Sequence, residues 1–392
     1  MTHDAVLPLI LVSLAALLSP RLARASGLPV AVIEILLGVA IGAGGLAVVS
    51  QEASAFLRFL ADLGFALFLF LAGLEVDFRQ IRAQGPRALA APAFAAVVSY
   101  ALAFFVSARA GWGPWVPLAV GATSVPLLLS VVRELDLLRT PLGRGMVLAA
   151  AVGEVVTILL LSVADVGARS EAIVPALVGF ARLSILFVAV LGGARVLQLL
   201  IWWFPDNFGA VLQGHDPSET GIRLGFTLMF VMVGLSVLAG IEPLIGAFFG
   251  GLMVAAVVRD RGPVEEKLGG MGYGFFIPVF FVHVGMRLHV APGQLLADAG
   301  FIAQVVVAML VVKLLPQLAW LPFGRSVRDA AATSALLAAP LTLVIAIADL
   351  GVRLGFLTTE REVSLIAAGM IASLVWPTLA RSLLRTAAAK AT

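Results

Sequence analysis

Thirteen apolar runs, separated by short charged or Pro/Gly-rich breaks, take up most of the 392-residue sequence. They cover approximately 4–20, 28–48, 55–75, 88–108, 115–132, 142–164, 173–203, 222–240, 243–258, 268–288, 297–320, 329–350 and 362–384. A hydrocarbon core of about 30 Å takes roughly 20 consecutive apolar residues as a helix, and most of these runs approach or exceed that length. Composition supports the same reading: 61% of the residues are hydrophobic and only 12% charged, against about 25% charged in an ordinary soluble domain. The fold class predicted is an all-α polytopic membrane protein of about 13 transmembrane helices. No polar stretch is long enough for a sizeable soluble domain, so nucleotide-binding, nucleic-acid-binding and secreted-enzyme functions are excluded. The lipid bilayer is the expected environment, and nucleic acid is not an expected partner. The absence of cysteine removes disulfide frameworks and thiolate metal sites.

The first run resembles a secretory signal, because Ala23-Arg24-Ala25 looks like a cleavage site. Its leading residues carry Asp4 and no Lys or Arg, however, while Arg21 and Arg24 follow the apolar stretch. That is the reverse of a signal peptide, and a retained first helix is expected. Lys and Arg then set the orientation. Connections after odd-numbered runs, with the C-terminal tail, hold 17 of the 26 basic residues, and the opposite face holds 6. This asymmetry predicts the N-terminus outside and the C-terminus in the cytoplasm.

Three pairs of segments repeat in order. Ile33-Glu34-Ile35-Leu36-Leu37-Gly38 with Gly42 matches Ile241-Glu242-Pro243-Leu244-Ile245-Gly246 with Gly250, at an offset of 208. Phe70-Leu71-Ala72-Gly73-Leu74 matches Val282-His283-Val284-Gly285-Met286 at 212, and Pro126-Leu127-Leu128-Leu129 matches Pro340-Leu341-Thr342-Leu343 at 214. Chance similarity between Gly- and Leu-rich helices is the plainer alternative. A duplication shifted by seven runs gives copies of opposite membrane orientation, the architecture of secondary transporters with sites at discontinuous helices. The expected organisation is a single transmembrane domain over 1–392, with repeat one about 1–165, a linker helix about 172–203 and repeat two about 220–385. No soluble regulatory domain is expected.

Pro126 and Pro340 fall halfway along the fifth and twelfth runs. Proline inside a helix removes a hydrogen bond and clashes with the preceding turn, and in lipid the freed carbonyls need other partners. Two independent kinks would explain either proline alone; the pair predicts crossed, broken helices. Glu154 lies about a dozen residues into the sixth run, so about 18 Å deep at 1.5 Å per residue, and Lys313 is similarly central in the eleventh. An ionised side chain at that depth costs at least ~2.5–3.5 kcal/mol. A structural salt bridge between the two is one account, and a titrating ion site is the other.

A lone midplane carboxylate implies a coupling rule. The bare anion crosses a low-dielectric barrier only at great cost, whereas either a proton or a monovalent cation neutralises it. Such a site exchanges one for the other. The hydroxyls of Thr123 and Ser124, with carbonyls freed near Pro126, are hard oxygen ligands suited to Na⁺, Li⁺ or K⁺. Glu75, Asp77, Glu134 and Asp349 fall near run ends, where solvation is the default; Glu75 and Glu134 are alternatively braces to basic residues at the cytoplasmic mouth. His283 reads as a packed polar residue rather than a proton relay. The four histidines are scattered and no GxxxxGK[ST] segment occurs, so no cofactor, no metal beyond a transported ion and no ATP-driven pumping are expected.

The matching segments are Leu28-Pro29 through Gly38, Phe70 through Glu75, Ala122-Thr123-Ser124, Arg133-Glu134-Leu135, Leu244 through Gly251, Pro278 through Gly285, and Lys313. In this order the chain resembles the monovalent cation:proton antiporter superfamily of the sodium/hydrogen exchanger fold. It is most similar to the bacterial subfamily holding the Kef-type potassium efflux and sodium/proton antiporters. The resemblance implies a homodimer in the bacterial inner (cytoplasmic) membrane, with a scaffold domain and a mobile core domain moving like an elevator. It also implies two adjacent polar residues on the sixth span, the second an essential aspartate. Here those positions hold Gly153 and Glu154. Without the first acid, the resemblance implies that Lys313 pairs with Glu154 directly.

The expected function is a secondary antiporter, not an enzyme, exchanging Na⁺ or K⁺, and by extension Li⁺, for protons. Glu154 is the exchange site, Thr123 and Ser124 are auxiliary ligands, Lys313 is the charge partner, and Pro126 and Pro340 mark the broken helices. The alternatives are a gated potassium efflux pathway on the same fold, an organic-anion symporter, and a non-transporting relative.

Overall fold

The computed structural model describes residues 3–42, 55–75, 85–138, 140–168, 173–203, 219–257, 262–288, 292–319, 321 and 326–391. Helices α1 (His3–Ser26), α2 (Val30–Ile41), α3 (Ala55–Glu75) and α4 (Gly85–Ala110) occupy the first four apolar runs. The fifth run holds two short pieces, α5 (Val116–Gly121) and α6 (Val125–Glu134), followed by α7 (Pro141–Ala168) and α8 (Ile173–Trp203). Next come α9 (Thr220–Leu238) and α10 (Pro243–Val257). The tenth run joins α11 (Gly262–Met271) through a π-helical turn at Gly272–Phe276 to α12 (Ile277–Arg287). A short α13 (Pro292–Ala297) leads to α14 (Ala299–Leu318), the pair α15 (Val327–Leu337) and α16 (Leu341–Arg353), and α17 (Thr359–Ala391).

Local signals explain several boundaries. Gly27, at φ 73°, ends α1 in the left-handed conformation that glycine tolerates. Ser326 caps α15 by accepting from the Asp329 amide at 3.0 Å. Pro141 opens α7, where its missing amide proton has no intrahelical acceptor to lose.

The protein is a polytopic α-helical membrane protein. Among the described residues, eight helices are long and apolar enough to cross a membrane unaided, and a ninth forms if α15 and α16 count as one bent span. The sequence runs are longer than some of the helices they contain. α2 has 12 residues and α10 has 15, so α2 is only about 18 Å long, well short of a ~30 Å core.

The chain separates into two compact units, each taking a segment from both halves of the sequence. One consists of Met1–Phe78 and Ser162–His289, the other of Arg79–Leu161 and Val290–Thr392. In the first unit, α2 crosses α12 and α3 crosses α10 at glycine contacts. A Cβ on Gly38 would overlap the Val282 carbonyl, and one on Gly285 the Ile35 carbonyl. Likewise, a Cβ on Gly73 would overlap the Phe248 carbonyl, and one on Gly251 the Phe70 carbonyl. Such small-residue contacts let membrane helices gain dispersion energy where lipid provides no hydrophobic drive. Phe65 and Phe280 stack alongside, with ring centroids 4.4 Å apart.

The Ile-Glu match at offset 208 does not mark equivalent positions. Glu34 lies inside α2, buried, and accepts a hydrogen bond from the Ser19 hydroxyl at 3.0 Å. Glu242 precedes α10, and its amide donates to Asp165 Oδ2 at 3.2 Å. Two similar tripeptides therefore serve a helix interior and a helix entrance.

The second unit has an aliphatic core drawn from α6, α7, α15 and α17, in which Val125, Leu128, Met146, Ala150, Ala335 and Leu336 are buried together. α14 packs on α4, α15 and α17. This places the middle of α14 beside the interruption between α5 and α6.

Candidate functional site

The interruption in the fifth run covers Ala122, Thr123 and Ser124. Ala122 leaves the helix at φ −60°, ψ 153°, and Ser124 is extended at φ −128°, ψ 137°. Pro126 falls in the first turn of α6. An amide there has no acceptor within the helix, so the proline starts a new helix rather than kinking an old one. Pro340 stands immediately before α16, and the α15–α16 pair bends by 44° at that point.

The four half-helices pack crosswise, α5 against α16 and α6 against α15. Two bonds fix the crossing. Trp115 at the start of α5 donates from Nε1 to the Ile347 carbonyl of α16 at 2.7 Å. The hydroxyls of Ser124 and Thr342 lie 3.1 Å apart and join one interruption to the other.

Glu154, on α7, is fully buried at 0% exposure, and its Oε2 accepts a hydrogen bond from the Val125 amide at 3.1 Å. Lys313, on α14, is 4% exposed. Its Nζ donates to the Gly121 carbonyl and, at 2.7 Å, to Thr123 Oγ1. Gly121 is the last residue of α5 and Val125 the first of α6. The ammonium thus sits at the negative end of one half-helix and the carboxylate at the positive end of the next. Lys313 is directed to the interruption, to the Gly121 carbonyl and the Thr123 hydroxyl. The broken helix bares both a carbonyl and an amide, and each charged group takes the end of opposite sign.

The same geometry accounts for Gly153. A Cβ at this position would stand 3.0 Å from Thr123 Cβ and 3.1 Å from its Oγ1, so the threonine side chain already fills that space. Its hydroxyl is the acceptor that Lys313 uses. Tyr100 completes the surroundings: its ring lies against Gly121, with Lys313 Nζ 5.7 Å from its centroid. The phenol donates to Thr157 Oγ1 at 2.8 Å, and Thr157 donates in turn to the Gly153 carbonyl at 2.7 Å. A small cavity beside this cluster is lined by Ser99, Thr123, Gly153, Lys313, Gln317 and Leu337, among others.

Every site residue named from the sequence therefore belongs to the second unit and lies on or against the two interruptions. Tyr100, Thr157, Gly121 and Thr342 were not foreseen. Thr342 carried a usable signal, a hydroxyl two residues from the second proline. The acids near run ends behave differently: Glu134 pairs with Arg381 at 3.0 Å, and Asp349 with Arg353 one turn on at 2.7 Å. Asp77 lies outside the described residues.

Known proteins resemble the chain along nearly its whole length. The family model described as "Sodium/hydrogen exchanger, transmembrane" matches residues 10–385. The "Putative Na(+)/H(+) antiporter YjbQ" of Bacillus subtilis is 30% identical over 96% of this chain. That alignment spans 63% of YjbQ's own length. The "Na(+)/H(+)-K(+) antiporter GerN" of Bacillus cereus is 24% identical over 90% of this chain and 89% of GerN. Among solved structures, the sodium proton antiporter MjNhaP1 from Methanocaldococcus jannaschii superposes with a TM-score of 0.67 over 97% of both chains. At 14% identity that likeness speaks for the fold.

Proposed function

The chain belongs to the sodium/hydrogen exchanger family, and from that premise we propose that it exchanges a monovalent cation for protons at Glu154 by alternating access. The observation that carries the proposal is the arrangement around one interruption: Glu154 held by the Val125 amide, Lys313 held by the Gly121 carbonyl and Thr123. Each charge is held at its own helix end. A proton and an alkali cation then compete for one carboxylate. The unneutralised form is the one least able to cross, and this makes the exchange obligatory.

Lys313 keeps its proton in this scheme. Its two acceptors come from α5 and the interruption, not from the group that titrates. If Lys313 keeps its proton throughout the cycle, one proton moves per cation and transport is electroneutral. Thr123, already engaged by Lys313, serves the lysine first, which leaves Ser124 as the freer of the two hydroxyls named from the sequence.

The wider architecture is read in the same way. Each of the thirteen apolar runs contains a helix or a broken pair, which supports thirteen spans, and the asymmetry of Lys and Arg supports an outside N-terminus. The two glycine crossings relate Gly38 to Gly251 and Gly73 to Gly285, offsets of 213 and 212, beside 214 for Pro126 and Pro340. Three offsets within two residues support two inverted repeats, with the second run in a register near 213 rather than 208. All the site groups lie on one compact unit, so that unit is the natural carrier in an elevator-like movement. A homodimer in the bacterial cytoplasmic membrane completes the reading.

The test is dye-monitored proton flux in proteoliposomes supplied in turn with Na⁺, Li⁺ and K⁺. Exchange that reverses with an imposed pH gradient is expected. Currents indifferent to that gradient favour an efflux channel, flux only with an organic anion favours a symporter, and no flux with any ion favours a non-transporting relative.

A further inference from the structure

Two hydroxyls at the crossing take no part in holding Glu154 or Lys313. Ser124 and Thr342 come from different interruptions, 218 residues apart in sequence, and meet at 3.1 Å. Ser124 immediately precedes Val125, whose amide anchors Glu154. It is buried, and Thr342 is partly buried. Neither hydroxyl is consumed by its own helix. Ser124 stands at the N-cap of α6 without a side-chain cap bond, and the N-cap of α16 is Pro340. A hydroxyl facing only another hydroxyl can rotate to present lone pairs instead.

We infer that Thr342 is a specificity-determining residue for the transported cation, supplying with Ser124 the neutral oxygens that replace part of its hydration shell at Glu154. This deepens the exchange reading and rests on it. A proton needs only the carboxylate, because one O–H bond satisfies it. An alkali cation is larger, takes several hard oxygen ligands at once, and is selected by their number and spacing. The carboxylate thus fixes that a charge is carried, and the hydroxyl pair helps to decide which ion carries it. It follows that the Thr342 hydroxyl can be removed at the expense of the cation alone.

The experiment uses the full chain in proteoliposomes, comparing wild type with Thr342→Val, Thr342→Ser and Glu154→Gln for Na⁺, Li⁺ and K⁺. Thr342→Val is expected to raise the half-maximal cation concentration about tenfold, equivalent to losing one good oxygen contact. The rise should be unequal among the three ions, with the maximal rate close to wild type, and Thr342→Ser should restore it. Wild-type affinity and ion order in Thr342→Val would overturn the inference, as would an equal loss of maximal rate for every ion. Should the valine variant differ from wild type in size-exclusion profile, Thr342→Ala is read by the same criteria. An inactive Glu154→Gln beside an unaltered Thr342→Val sinks this inference alone, whereas an active Glu154→Gln sinks the exchange reading beneath it.

Discussion

Gly153 and Thr123 act as a pair at the buried Lys313, to which Thr123 offers a neutral acceptor. With only 3.0 Å between a Cβ at 153 and the threonine Cβ, a side chain at 153 would crowd Thr123 by a few tenths of an ångström. Thr123 contributes a neutral acceptor to Lys313 at 2.7 Å. Thr123→Val keeps the shape and removes the acceptor, so it should lower stability by about 1–3 kcal/mol, the usual range for a hydrogen bond lost to a buried charge. Thr123→Ser should retain most of it, and thermal unfolding in detergent reads both. Gly153→Ala forces Thr123 aside and should cost a similar ~1–3 kcal/mol through overpacking. At this scale the sequence was informative where chemistry is rare in lipid: a carboxylate, an ammonium and two hydroxyls near a proline. It was silent on Tyr100, which reads as packing. A sequence shows two opposite charges but not which helix end each one meets, so the contacts with Val125 and Gly121 were not legible.

Elements of the first unit are located by glycine. The paired overlaps at Gly38 with Gly285, and at Gly73 with Gly251, leave no room for a methyl group on either side of each crossing. Gly285→Ala should therefore sharply reduce the monodisperse, folded fraction on size exclusion. Gly300→Ala should leave it unchanged or improve it, since nothing lies within 4 Å of a Cβ at that helical position and alanine is the better helix former. The apolar runs located the elements in sequence, and the two prolines located the interruptions. The length of α2 was hidden. The apolar run continues past the end of the helix it contains. Close-approach glycines mark the crossings, because backbone contact demands them.

For the whole molecule, the division into two units puts both interruptions, Glu154 and Lys313 on one body. If Lys313 stays protonated, the cycle moves no net charge. Two protons per cation would move one charge, worth about 2.3 kcal/mol for each 100 mV of membrane potential. Na⁺-driven proton flux should therefore be insensitive to a potential clamped from outside, and acceleration by that potential would show that the lysine also titrates. Competition gives a second global signature: lowering the pH should raise the half-maximal cation concentration, approaching about tenfold per pH unit for a single shared proton site. All of this depends on one carboxylate serving both ions. The most direct test is proton flux in proteoliposomes carrying Glu154→Gln, an isostere that still fills the site but carries no charge. Folded protein without cation-dependent proton movement is the result expected, and exchange at the wild-type rate would contradict it.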